Sequence, residues 1–115
     1  MKSETYRQAI DQLVAECRDG HGHIGPSRAR KGLWNQNATS TFLPDQHKVN
    51  EFLSELSEPQ REVLAGLLEG QFSRGVFETL KVLETLEIEP FLDGYEGSPY
   101  HDFIGRLDDW EWPSE

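Results

Sequence analysis

Cysteine is nearly absent from this sequence of 115 residues, in which Cys17 is the single example. One cysteine cannot form a disulfide within the chain, so the disulfide-stapled scaffolds of small secreted domains are excluded. The residues in line with Cys17 at helical spacing are Tyr6, Ile10, Leu13 and Val14. This pattern favours a buried structural thiol over a reactive one. We therefore expect a reduced thiol and a cytoplasmic protein.

Long apolar runs are also missing, and the first ten residues are mostly polar. Neither a membrane-spanning helix nor a secretory signal is therefore expected. Basic residues are scarce, since 11 Lys/Arg stand against 21 Asp/Glu and give a net charge of -10. This charge repels nucleic-acid phosphates and favours the approach of a basic protein. We expect a basic protein partner, no nucleic acid and no membrane association.

Motifs that would identify a reaction are lacking as well. The cations that follow Gly25 and Pro26 do not have the GK[ST] ending of a P-loop. Four histidines are present, but their spacing brings no set of ligands together, so we predict no metal site and no cofactor. Carboxylate pairs such as Asp108 with Asp109 arise by chance in so acidic a chain. We favour a protein without enzymatic activity.

Helical periodicity is the feature that the sequence does contain. Residues 3–19 place apolar side chains at three- and four-residue steps, with Ser3 as an N-cap and Gly20 as a stop. The same spacing predicts four further helices, at residues 45–56, 57–70, 73–89 and 99–107. Ser57 begins one of them with a hydroxyl, a following proline and a glutamine three residues on, which is typical of a capping box.

Two regions interrupt this regular pattern. The apolar period continues through Gly70 and Gly75 and would fit one long helix. Each glycine costs about 1 kcal/mol relative to alanine inside a helix, so we favour two helices with a turn at residues 70–73. Between residues 20 and 44 the periodicity disappears among glycines and polar residues. This second region predicts a long loop held to the core by its few large apolar side chains.

These patterns predict an all-α fold in which residues 1–115 form a single helical domain. The expected architecture is a small bundle of four to five helices with one long ordered loop at about residues 20–44. The expected core consists of Leu13, Val14, Phe52, Leu53, Leu64, Leu67, Leu68, Phe77, Leu80 and Leu83.

One stretch is similar to a known motif. It consists of Leu56, Ser57, Glu58, Pro59, Gln60, Arg61, Glu62, Val63, Leu64, Leu67, Leu68, Glu69 and Gly70. These residues resemble the opening helix of the helix-turn-helix in sigma-factor region four and in LuxR-type response regulators. A basic recognition helix follows in those families, whereas residues 76–89 here carry four glutamates against Lys81 alone. Phosphate would repel such a helix, so we assign no DNA-contact residue.

Acidic residues concentrate in the C-terminal part of the chain, where residues 45–115 contain 17 Asp/Glu against 5 Lys/Arg. Two tryptophans lie among these acids, and tryptophan is enriched where partners make their tightest contacts. We therefore predict an interaction or regulatory protein that binds a basic partner through an acidic, Trp-bearing face. The predicted contact residues are Trp110, Trp112, Asp108, Asp109 and Glu111. The other interpretation, that one or both indole rings cover the core, stays open.

A ligand site is the alternative function. The basic residues of the 20–44 loop suit carboxylate or phosphate groups, and the 94–101 turn brings phenols and an imidazole. The residues of this alternative site are His21, His23, Arg28, Arg30, Tyr100 and His101. A small anion-binding domain, or an enzyme, would require the two segments to meet in space. A homodimer formed through an aromatic patch is a third alternative.

Overall fold

A computed structural model describes residues 3–114, which form five α-helices and no named β-strand. The helices are α1 (Glu4–Arg18), α2 (His21–Lys31), α3 (Pro44–Glu55), α4 (Glu58–Thr85) and α5 (Pro99–Leu107). The prediction of an all-α fold with four to five helices is confirmed. In the part of the chain that the structure describes, no helix is both long and apolar enough to cross a membrane.

Local capping explains where several helices begin. The Ser3 hydroxyl accepts the Tyr6 backbone N–H at 3.1 Å and starts α1. Ser57 and Gln60 satisfy each other's backbone N–H groups at the start of α4, which is the predicted capping box. The α5 helix begins at Pro99 after Ser98, also as predicted. Short-range signals in the sequence were therefore sufficient to position these three helix starts.

The predicted loop at residues 20–44 is shorter than expected, because His21–Lys31 form α2. The buried residues of this helix are Gly22, Pro26 and Ala29, spaced four and three residues apart. They share one helical face, but their small side chains produce no hydrophobic periodicity. The helix ends at Gly32, whose left-handed backbone (φ 76°) suits glycine. The loop between α2 and α3 is therefore limited to residues 32–43.

The predicted break at residues 70–73 is absent, since α4 is one continuous helix of 28 residues. Its inward face carries Ala65, Leu68, Phe72, Val76 and Leu80 at three- and four-residue steps through both glycines. Burial of this uninterrupted face outweighs the cost of about 1 kcal/mol for each glycine. The helix ends at Thr85, before the predicted end at Glu89.

Two hydrophobic clusters lie along α4, and the molecule is accordingly elongated, with extents of 54 × 27 × 19 Å. The first joins α1, α5 and the C-terminal half of α4, and its buried members are Tyr6, Ile10, Val14, Leu80 and Phe103. The second joins α2, α3 and the N-terminal half of α4, and its buried members are Ala29, Leu53 and Ala65. Phe52 and Leu67, which we expected in the core, are 53% and 58% exposed.

The start of α2 packs very closely against its neighbours. A Cβ atom at Gly22 would lie 2.6 Å from the Phe72 ring and 2.9 Å from the Cys17 Cα atom. By contrast, a Cβ atom at Gly66 or Gly70, both on α4, would meet no atom within 4 Å. Glycine is thus sterically required at Gly22 but not at these two positions of α4.

We expect Gly66→Ala and Gly70→Ala each to raise the free energy of unfolding by about 0.5–1 kcal/mol, because alanine is the better helix former. Gly22→Ala should lower it by about 1–3 kcal/mol, because the added methyl group overlaps the α1 backbone. Urea unfolding followed by circular dichroism measures all three values. Destabilisation by either α4 substitution would contradict the open surface described here.

Candidate functional site

A large apolar groove of about 810 Å³ lies between α1 and the C-terminal half of α4. Its main apolar residues are Ala9, Leu13, Phe72, Val76, Leu83 and Phe91. Polar atoms come from Gln12, Gln71 and Thr79, none of which carries a charge. We call this surface the α1–α4 groove. No acidic, basic or cysteine side chain is among the residues that line it.

Small residues keep the groove open. Ala9 on α1 and Gly75 on α4 both line it, and a Cβ atom at Gly75 would meet no atom within 4 Å. The pair therefore leaves a depression where larger side chains would fill the space between the helices. An apolar groove of this kind can receive the hydrophobic side of another helix or an aliphatic chain.

The segment that follows α4 extends this apolar surface and adds charge. Leu86 is 65% exposed, and Ile88 and Leu92 are also exposed. Glu87 and Glu89 alternate with these residues and are exposed as well. Since Leu83 and Phe91 line the groove, this segment begins and ends beside it. The chain thus leaves the groove at Leu83 and returns to it at Phe91 through a segment with exposed apolar side chains and two exposed carboxylates.

The cations that the structure describes in this half of the molecule already contact other side chains. Arg18 binds Asp109 at 3.0 Å, and Arg106 binds Asp11 at 2.8 Å. The Lys81 ammonium lies 5.5 Å from the centroid of the Phe77 ring. Several exposed carboxylates have no ion-pair partner among residues 3–114, namely Glu87, Glu89, Glu96, Asp108 and Glu111. The surplus negative charge of this half is therefore not neutralised by its own cations.

The C-terminal tryptophans fold back onto α1 and α5. The Trp112 indole N–H donates to Asp11 at 3.0 Å, and its ring meets Tyr6 edge-on at a centroid distance of 6.0 Å. Trp110 lies 5.4 Å from Trp112 and covers Gly105. Both rings are half-buried. The Trp112 ring therefore packs against the core cluster, while Trp110 contacts Trp112 and Gly105.

The acidic residues around these tryptophans remain at the surface. Asp108, Asp109 and Glu111 are exposed, and Asp109 is the member that forms the ion pair with Arg18. This acidic segment contacts α1 through Asp11, which points to the side of α1 away from Ala9 and Leu13. Binding of a partner by these five C-terminal residues stays a prediction.

A buried polar cluster surrounds Asp102, whose side chain is fully buried. Its carboxylate accepts hydrogen bonds from the Tyr6 hydroxyl at 2.5 Å and from the backbone N–H groups of Tyr95 and Glu96 at 2.8 and 2.9 Å. Burial, followed by the hydrogen bond to Asp102, raises the pKa of Tyr6 far above its ordinary value of 10.0. The cluster therefore joins α1, α5 and the 94–97 turn, and its groups are occupied by these structural bonds.

The residues of the alternative ligand site do not converge. Arg30 binds Glu62 and Glu69 on the first half of α4, whereas the Tyr100 ring packs on Phe77 at 4.8 Å. At about 1.5 Å per residue, these positions lie roughly 12 to 22 Å apart along the helix axis. The two segments therefore meet α4 at different levels, and Arg28 and Arg30 are separated from Tyr100 and His101.

The two histidines of that alternative lie near the junction of α1 and α2. His21 binds Glu16 at 2.9 Å at the surface. His23 lines a cleft of about 300 Å³ together with Cys17 and Ser73. Burial raises the pKa of the half-buried Cys17 thiol, so the thiol stays protonated near neutral pH. In residues 3–114 no three His, Cys, Asp or Glu side chains are placed to hold a metal ion.

Comparison with known protein families shows the family of the chain. Residues 1–114 match the family of unknown function DUF6547, and the chain therefore belongs to that family. No curated protein and no solved structure is significantly similar to the chain. The groove and the charge distribution consequently provide the basis for inferring a function.

The Tyr6–Asp102 hydrogen bond gives a testable dependence of stability on pH. Tyr6→Phe should lower the free energy of unfolding by about 1–3 kcal/mol at neutral pH, because the buried carboxylate loses a donor. In the wild type, unfolded Tyr6 ionises near pH 10 while folded Tyr6 stays protonated. Its contribution is therefore complete below pH 10 and decreases above it, by about 1.4 kcal/mol per pH unit.

Urea unfolding between pH 7 and 11 tests both expectations. Above pH 10, the free energy of unfolding of Tyr6→Phe should fall with pH less steeply than that of the wild type, by about 1.4 kcal/mol per pH unit. Tyr100→Phe provides the matched control, since the Tyr100 hydroxyl has no hydrogen-bond partner in the described part of the chain. Equal losses for the two variants at neutral pH would show that the Asp102 cluster does not stabilise the fold.

Proposed function

We propose that this member of the DUF6547 family is a non-enzymatic interaction protein that binds a basic segment of a partner protein in the α1–α4 groove. One observation carries the proposal: an apolar groove of about 810 Å³ is lined by Leu83 and Phe91, and the segment between them has two exposed carboxylates, Glu87 and Glu89, without an ion-pair partner among residues 3–114. The partner segment would be an amphipathic helix with apolar residues on one side and Lys or Arg on the other.

The lining of the groove supports binding rather than catalysis. A catalytic site needs an activated nucleophile, an acid or a base within reach of a substrate, whereas the groove is lined by aliphatic, aromatic and amide groups and by the Thr79 hydroxyl, which donates to the Gly75 carbonyl. Burial of apolar surface contributes about 25 cal/mol per Å², so a helix that covers Leu13, Phe72 and Val76 would gain affinity from them. The affinity would thus come from the apolar lining.

Charge would decide which helices bind. Glu87 and Glu89 belong to the segment between Leu83 and Phe91, so they would attract cations near the groove and disfavour an acidic helix. The net charge of -10 would accelerate association with a basic partner at low ionic strength. The acidic residues that precede Trp112 add to this long-range attraction from the other side of α1. In this proposal the tryptophans position the acidic segment, and the groove provides the apolar contact.

The proposal predicts that a bulky side chain at Gly75 blocks binding. The probe is a synthetic 18-residue amphipathic helix of leucine and lysine, measured by fluorescence anisotropy. Gly75→Leu fills the groove and should weaken binding by at least about tenfold, or 1.4 kcal/mol. Gly66→Leu is the matched control, because Gly66 also has open space but lies on the opposite face of α4. A higher salt concentration should weaken binding to the wild type.

Three results would contradict the proposal. The first is equal affinity of Gly75→Leu and Gly66→Leu, which would mean that the peptide binds outside the groove. The second is equal binding of a peptide in which glutamate replaces lysine, since charge would then not select the partner. The third is a wild-type dimer in sedimentation that Gly75→Leu dissociates, because a second copy of the chain would then occupy the groove.

A further inference from the structure

A second recess lies at the other end of the molecule, where α2 ends. It has a volume of about 450 Å³, within the range of small-molecule pockets. Its polar lining consists of Arg28, Lys31, Trp34, Asn35, Gln36 and Asn37. We call it the α2 pocket. It shares no lining residue with the α1–α4 groove, and its function would be independent of the one proposed above.

Positive charge in the α2 pocket is not neutralised by the protein. Arg28 and Lys31 are one helical turn apart and exposed, and no described carboxylate forms an ion pair with either. Arg30, which lies between them in sequence, faces α4 and binds Glu62 at 3.0 Å and Glu69 at 2.8 Å. The α2 helix thus directs Arg30 to two carboxylates and directs Arg28 and Lys31 into the pocket. These two cations stay without a described carboxylate partner although the protein has a large excess of acidic residues.

The opposite wall of the pocket is held in place by α3. The Asn50 side chain accepts the backbone N–H groups of Trp34 and Asn35 at 2.7 and 3.0 Å and donates to the Asn35 carbonyl at 2.7 Å. The Asn35 side chain donates to Gln46 at 2.6 Å and accepts the Asn37 backbone N–H at 2.9 Å. Residues 34–37 are therefore fixed before any ligand arrives, which lowers the entropic cost of binding.

The free groups in the pocket are mainly hydrogen-bond donors. Arg28 contributes a guanidinium, whose carbon lies 5.7 Å from the centroid of the Trp34 ring, and Lys31 contributes an ammonium. The side-chain amides of Gln36 and Asn37 have no partner in the part of the chain that the structure describes. A guanidinium fork beside an ammonium and amide N–H groups is complementary to the oxygens of a phosphate or a carboxylate.

From this arrangement we infer that the α2 pocket binds a small molecule that carries phosphate or carboxylate groups. The ligand's oxygens bind Arg28 and Lys31, and the amides of Gln36 and Asn37 add neutral donors. Repulsion by the net charge of the protein disfavours long polyanions such as nucleic acid, whereas a compact anion fits within the pocket.

Calorimetric titration of the full chain with pyrophosphate and with citrate tests the inference and separates the two anion sources. At least one of the two probes should bind with a stoichiometry of one. The double variant Arg28→Gln/Lys31→Gln should bind at least tenfold more weakly. Both side chains are exposed, so the variant should unfold at the wild-type temperature in a circular dichroism melt. Gly75→Leu should bind the anion normally, because it alters only the groove.

Arg30→Gln is the matched control, since it removes the same charge from the same helix but faces α4. This variant should keep the affinity of the wild type. Lys48 is exposed, so Lys48→Gln provides a second control if Arg30→Gln is unstable. Binding of pyrophosphate alone would identify a phosphate site, and binding of citrate alone would identify a carboxylate site. Binding of neither would overturn the inference, as would equal weakening by the double variant and a control.

Discussion

The buried carboxylate of Asp102 is the interaction on which the shape of one half of the protein depends. It satisfies two backbone N–H groups of the 94–97 turn and receives the Tyr6 hydroxyl from α1. A buried charge is tolerated only when its hydrogen bonds are made, so the turn, α1 and α5 must occupy their positions together. The long connection between α4 and α5 is consequently fixed at its C-terminal end, although it contains no helix of its own.

This constraint also affects the functional surfaces. Trp112 holds α1 through Asp11, whose side chain lies on the side of α1 away from the groove. The Tyr6 ring, by contrast, lies on the core side of α1, next to the side that lines the groove. Leu13 and Leu80 belong both to this core cluster and to the lining of the groove. The stability of this half of the protein and the proposed binding therefore share side chains.

The sequence predicted what depends on local chemistry and missed what depends on packing. The capping box at Ser57 and the start of α5 at Pro99 involve neighbouring residues, and both were correct. The α2 helix was missed because Gly22, Pro26 and Ala29 form a buried face without large apolar side chains. The segments that pack against such a face are apparent only in the folded structure. The same is true of the continuous packing that keeps α4 helical through Gly70 and Gly75.

The same difference between local chemistry and packing applies to the candidate sites. The sequence identified a basic region, but it could not separate Arg28 and Lys31 from Arg30, because that distinction requires the helical phase of α2 and the position of Glu62. For Trp110 and Trp112 it left open whether the rings serve a partner or cover the core, because their contacts with Gly105 and Asp11 depend on a turn and on a residue 101 positions away. The α1–α4 groove had no signal in the sequence except the small residues Ala9 and Gly75.

The two clusters along α4 differ in the number and size of their buried side chains. The cluster around Tyr6 and Phe103 is rich in aromatic rings, whereas the buried members of the other cluster are Ala29, Leu53 and Ala65. The second cluster has fewer and mostly smaller buried side chains, so we expect α3 to open at lower free energy than α1. Amide hydrogens of α3 would accordingly exchange with solvent through partial opening, while those of α1 would exchange only when the whole chain unfolds.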